Sequence, residues 1–133
     1  MKVLFVCKGN VARSQMAEIF FNNLSKKHKA ISAGLTGEKY SSKFLKNFPI
    51  VPSCMDEIGI DISHLKPKQL TKEMITNSDI LVWMTEESPP NFVKPKKIIV
   101  WDVPNPKGES YEFHCKVRDQ IKKLVEDLVK DIE

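Results

Sequence analysis

An apolar run from Met1 to Val6 passes through Cys7-Lys8-Gly9-Asn10-Val11-Ala12-Arg13-Ser14 into a segment where Met16, Ile19, Phe20 and Leu24 recur at helical spacing. The run reads as a short buried strand and the spacing predicts a helix, so the loop between them sits where helix amides point outward. Free backbone donors at such a place favour an anion. Gly9 is expected to relieve the backbone at the tight turn and Asn10 tolerates a left-handed conformation, so successive amides can form a concave nest around the oxygens of a tetrahedral oxyanion. Arg13 completes the nest with a planar fork of donors, which lysine, a point charge, does not offer. Among 21 basic residues only Arg13 and Arg118 are arginines, so an arginine at this spacing is informative. A cysteine attacks phosphorus or arsenic as thiolate, and a ring of donors favours that anion. Ser14 can donate its hydroxyl to the sulfur. The loop therefore offers Cys7 and Arg13 as catalytic residues, with Lys8, Gly9, Asn10, Val11, Ala12 and Ser14 around the substrate.

A chain of 133 residues suits one domain, residues 1–133, with a single core. Its apolar fraction of 41% and charged fraction of 29% are those of a globular protein in water, and no segment approaches the length of a membrane span. The opening apolar run is too short for a signal-peptide core. Cys7, Cys54 and Cys115 make an odd count without metal-like spacing, and Cys7 needs a free thiol, so a reducing cytoplasm is expected. The net charge of +4 comes from lysines scattered along the chain, which argues against nucleic acid and for modest steering of anions. His28, His64 and His114 are dispersed, so no metal site is expected. His114 adjoins Cys115, but neighbours on a helix face different directions.

Strand and helix patterns alternate: a strand to Val6, a helix over Ser14 to Lys27 and a strand over Ala30 to Ala33. Helical stretches at Val51 to Ile58 and Pro67 to Ile75, strands at Ile80 to Met84 and Lys97 to Trp101, and a long last helix follow. Such alternation implies a parallel sheet covered on both faces. In the last helix Phe113, Val117, Ile121, Leu124, Leu128 and Ile132 form the expected core stripe. Cys54 and Cys115 fall in helical patterns and read as packing residues. The stretch Leu35 to Pro52, with Tyr40, Phe44 and Phe48, is a candidate border of the ligand entrance, and Ser88-Pro89-Pro90 and Pro95 mark a surface loop. Ligands of open parallel sheets sit outside the carboxyl ends of the strands, which is where the Cys7 loop and Asp102 both fall.

These features resemble the low-molecular-weight protein tyrosine phosphatases and the arsenate reductases that share their fold. The resemblance rests on Val6 to Glu18, Ser32-Ala33-Gly34, Asp61-Ile62-Ser63, Ser78 to Val82, and the segment from Trp101 to Ile121. Arg13-Ser14-Gln15-Met16-Ala17-Glu18, and Asn105-Pro106-Lys107-Gly108 with Phe113 and Val117-Arg118-Asp119, look more like the reductase branch than the phosphatase branch. The resemblance implies a three-layer α/β/α fold with four parallel strands in the order 2-1-3-4 and the phosphate-binding loop after the first strand. It also implies a reaction that needs no metal or organic cofactor, and a monomer or weak homodimer without nucleic-acid or membrane partners.

Three departures bear on the chemistry. The family's proton-donating aspartate, just before a proline, is matched here by Asn105, and an amide can hold a leaving oxygen but cannot deliver a net proton. Asp102 is the nearest carboxylate and is read as the replacement acid, although a turn aspartate satisfying local amides has the same sequence. The aromatic residue that follows the proline in the phosphatases is Lys107. The relay cysteines of thioredoxin-coupled reductases are absent from Met84-Thr85-Glu86-Glu87-Ser88, and the phosphatases' second loop cysteine is Ala12. The expected activity is hydrolysis of a phosphate ester through a phosphocysteine. The alternatives are arsenate reduction with an external thiol or redox partner, and oxyanion binding with weak or no turnover.

Overall fold

In the computed structural model, which describes residues 1–89 and 97–133, four short strands form one parallel sheet. Strand β1 spans Lys2–Cys7, β2 Lys29–Gly34, β3 Ile80–Trp83 and β4 Lys97–Val100, in the order β2-β1-β3-β4. Helix α1 spans Arg13–Leu24, α2 Ile50–Asp56, α3 Lys72–Thr76 and α4 Tyr111–Ile132. The expected fold class and strand order are found. The loop expected around Pro90 and Pro95 lies mostly outside the described residues.

Alternation along β1 divides the core into two layers. Val3, Phe5 and Cys7 face α1, α2 and α4, where Phe5 meets Phe21 edge-on at 6.0 Å. Leu4 and Val6 face the other way, with Ala33, Ile75, Leu81 and Trp83. A central strand buried on both faces reads as a continuous apolar run, as this one does. No helix among the described residues is long and apolar enough to cross a membrane.

Several boundaries differ from expectation for local reasons. Helix α1 stops at Leu24 and buries Met16, Ala17, Phe20 and Phe21, leaving Ile19 half-buried and Leu24 exposed. In α4 the buried face holds His114, Val117, Arg118, Ile121, Val125, Leu128 and Val129, while Phe113, Leu124 and Ile132 sit half-buried at its margin. The helix packs against both α1 and α2, and this turns its buried face by about one position. Of the helix expected over Pro67 to Ile75 only Lys72–Thr76 forms, capped by Thr71, whose Oγ1 accepts from Met74 N at 3.2 Å. The residues before it are used otherwise, because Gly34 N donates to Lys68 O and Leu70 N to Gly34 O, both at 2.9 Å. Cys54 is buried as expected, whereas Cys115 is half-exposed.

Candidate active site

Strand β1 delivers Cys7 to the carboxyl edge of the sheet, and α1 begins at Arg13. The residue before the helix, Ala12, has no side chain that could cap its first amides, so those donors stay available for an anion. Asn10 takes the left-handed conformation, φ 57°, as expected. Gly9 has another role: its φ is not left-handed, and a Cβ there would stand 3.0 Å from Cε2 of Tyr40, so the missing side chain admits that ring to the loop.

Asn10 is wholly buried and organises the loop from beneath. Its Oδ1 accepts from Lys68 N at 2.8 Å and Gln15 Nε2 at 3.0 Å, which orients the amide. Its Nδ2 then donates to Ser14 Oγ at 2.7 Å and Ser32 Oγ at 3.0 Å. Ser14 Oγ thus has an acceptor site occupied, and its own proton is directed to Cys7 Sγ, 2.9 Å away. The hydroxyl and the sulfur thus form one hydrogen-bonded pair at the floor of the loop. Ser32 Oγ donates to Glu18 Oε1 at 2.8 Å, closing the network on the second strand.

Arg13 is almost completely buried, at 2% exposure. Both protons of one terminal nitrogen are taken, by the carbonyls of Met84 and, at 3.1 Å, Val103. Nε and the other terminal nitrogen have no partner among the described residues, and the residue lines the cavity beside Cys7. Anchoring one edge of a guanidinium leaves the other as a rigid fork for an oxyanion.

The cavity above the loop has a volume of about 560 Å³. Its floor is Cys7 to Gly9 and Val11 to Arg13; one wall is Tyr40 with Asn47 to Val51, the other Asn105 to Glu109 with His114. Tyr40 and Phe48 meet edge-on at 5.5 Å, and Lys107 Nζ donates to Tyr40 OH at 3.5 Å across the rim. The stretch suspected of bordering the entrance therefore does so. On the rim Lys8 pairs with Glu87, whose carboxyl is pulled down to about 2 by hydrogen bonds from Lys8 and Thr85.

The structure brings Cys7, Lys8, Gly9, Val11, Ala12, Arg13 and Asn105 to one cavity, with Asn10 and Ser14 supporting it from below. Asp102 does not line it. Trp101 packs on Phe5 at 5.6 Å and Val103 is buried, so the intervening Asp102 points outward to solvent, and its carbonyl accepts from Gln120 at 3.1 Å. Asn105 Oδ1 accepts from Lys107 N at 3.1 Å, shaping the turn at the cavity wall. Gln15, Glu18, Ser32 and Lys68 were missed as supports of the site, although Gln15, Glu18 and Ser32 stand in the motifs that carry the resemblance. Cys54 and Cys115 are not in the cavity lining; they lie where α2 meets α4, with Arg118 donating to Cys54 O at 2.6 Å. Burial, reinforced by the charge of Cys115, pushes the Cys54 thiol up to about 11.

The family model described as low molecular weight phosphotyrosine protein phosphatase matches residues 2–133. A glutaredoxin arsenate reductase of Synechocystis sp. is 33% identical over 135 residues, covering 98% of each chain. The solved structure of an arsenate reductase in the phosphate binding state superposes with a TM-score of 0.80 at 32% identity, over 99% of this chain and 98% of that one. A low molecular weight protein tyrosine phosphatase from T. tengcongensis gives 0.80 at 28% identity, over 98% of this chain and 99% of that one. Sequence and fold agree along the whole chain, which belongs to the low molecular weight phosphotyrosine protein phosphatase family.

Proposed function

We propose that the protein hydrolyses phosphomonoesters in the manner of a protein tyrosine phosphatase, with Cys7 as nucleophile and a phosphocysteine as intermediate. The thiolate attacks phosphorus, the ester oxygen leaves, and Arg13 with the loop amides holds the phosphoryl oxygens as charge moves between them. Water then attacks phosphorus, the S–P bond breaks, and phosphate departs. The observation that carries this reading is the space above Cys7. A cavity of about 560 Å³ with Tyr40 and Phe48 in its wall is sized for an organic group, not for a bare oxyanion. The reaction so drawn calls for no metal, and a reducing cytoplasm would keep Cys7 free.

Arsenate reduction is the second reading, favoured by the arsenate reductases that match at 33% identity and by Asn105 in place of a carboxylate. Neither Cys54 nor Cys115 lines the cavity, so the electrons would come from an external thiol. Assaying an aryl phosphate and arsenate plus glutathione side by side separates the readings. Phosphate release without thiol supports the first, and thiol-dependent arsenite formation without ester hydrolysis replaces it with the second. Phosphate binding with neither turnover would leave an oxyanion-binding protein.

A further inference from the structure

His114 occupies a place that a packing residue does not need. It lies in the first turn of α4, is only 4% exposed, and is nonetheless part of the lining of the cavity that contains Cys7, Arg13 and Asn105. Its Nδ1 is 2.8 Å from Ser110 O, a carbonyl that can only accept, so Nδ1 carries a proton and the ring is fixed. Nε2 has no partner among the described residues. It is not sequestered either, since Gln15 Oε1 is the only buried side-chain nitrogen or oxygen there without a partner. The neighbouring Cys115 faces the other way, toward Arg118, whose terminal nitrogen is 3.7 Å from its sulfur.

We propose that His114 is the general acid and base of the reaction, supplying the proton that Asn105 cannot. The assignment rests on the phosphomonoesterase reading. As Cys7 Sγ bonds to phosphorus and the P–O ester bond breaks, the proton on Nε2 passes to the leaving oxygen and gives a neutral alcohol or phenol. Neutral Nε2 then takes a proton from the water that attacks phosphorus, the electron pair of the S–P bond returns to Cys7, and phosphate leaves. Protons and electrons balance with water as the only co-reactant. The nearby carboxylates fit the task less well, Glu87 on the rim being already held by Lys8 and Thr85. Asp102 points away from the cavity, and Glu109, on its rim, is exposed with no side chain or amide among the described residues fixing its carboxylate. The other ionisable groups lining the cavity are Cys7, Lys8, Arg13, Tyr40 and Lys107; Arg118, one turn along α4, is tied to Glu57 and Asp119. The residues of α2 in the lining, Ile50 and Val51, bring no charge.

The test measures kcat/KM for an alkyl phosphate and for 4-nitrophenyl phosphate, with phosphate inhibition as the measure of binding. His114→Gln should slow the alkyl ester by about 10²-fold or more, because a poor leaving group needs the proton. The nitrophenyl ester, whose oxygen leaves as a stable anion, should slow far less, and phosphate binding should hold. Adding Asn105→Asp to His114→Gln should restore alkyl-ester turnover, while Asp102→Asn and Glu109→Gln should leave the ratio of the two substrates unchanged. His114→Phe, which fills the ring's space without a nitrogen, should repeat the selective loss if the glutamine variant fails to fold. Equal loss on both esters without rescue means a structural histidine and overturns the proposal, as does an unchanged ratio. A wild type that hydrolyses neither ester while reducing arsenate overturns the phosphomonoesterase reading itself, and the role of His114 with it.

Discussion

Gly34 lies directly behind Asn10: a Cβ at Gly34 would stand 2.6 Å from the Asn10 amide nitrogen and 2.9 Å from Lys8 O. The atoms in the way are backbone, so neither side can yield by turning a side chain. The end of β2 thus acts as the mould for the loop, assisted by Leu35 N donating to Cys7 O at 3.1 Å and Thr36 N to Lys8 O at 2.8 Å. Gly34→Ala should cost about 1–3 kcal/mol of stability by overpacking. It should also displace the loop, so phosphate affinity falls with activity. Denaturant unfolding together with phosphate titration checks both; a stable variant with intact affinity would mean the contact is not limiting.

Arg13→Lys should reduce both rate and affinity. The positive charge remains, but the fork is lost, and so is the anchoring of one edge on the carbonyls of Met84 and Val103. Losing a comparable transition-state donor costs about 10²–10³-fold in rate. Steady-state kinetics with an aryl phosphate give the answer, and wild-type values would make Arg13 a structural residue of the loop.

The ion pair between Lys8 and Glu87 gives a pH signature. Burial is slight, and the Glu87 carboxyl is held at about 2, below its ordinary 4.5, by the hydrogen bonds from Lys8 and Thr85. The folded value is the lower one, so the pair stabilises the fold at neutral pH and loses that contribution as pH falls from about 4.5 to about 2. Both side chains are nearly half exposed, at 45% and 43%, so the effect stays within about 1 kcal/mol and weakens with salt. Thermal melting of wild type and Glu87→Gln should differ at neutral pH and converge on acidification. A difference that persists to the acid end would place its origin elsewhere.

What the sequence made legible was local. The strand, the nest residues, Arg13 and the helix after it are consecutive, and their chemistry is set by near neighbours, so Cys7, Asn10, Arg13 and Ser14 could be placed from residue type and spacing. Contacts made across the fold were hidden. Lys68 to Leu70 looked helical because nothing in that segment announces that Gly34 takes its backbone bonds. Asp102 seemed to share the edge of the sheet, but the inward packing of Trp101 and Val103 fixes its direction, and that depends on Phe5 and Arg13. The divergence of His114 and Cys115 followed from helix geometry. That His114 joins Asn105 in the lining of the cavity is a relation across the fold that its own segment does not announce.

The most direct measurement is to trap the covalent intermediate. The protein is mixed with an aryl phosphate, quenched in acid within the first turnovers and digested, and the peptide containing Cys7 is weighed. This peptide should gain the mass of one phosphoryl group, and Cys7→Ser should release no product while phosphate still binds. Its nest donors and the Arg13 fork remain, but a hydroxyl is far less nucleophilic than a thiolate. Product formed at the wild-type rate by Cys7→Ser, or a phosphoryl group found on any residue other than Cys7, would contradict the assignment of Cys7 as nucleophile.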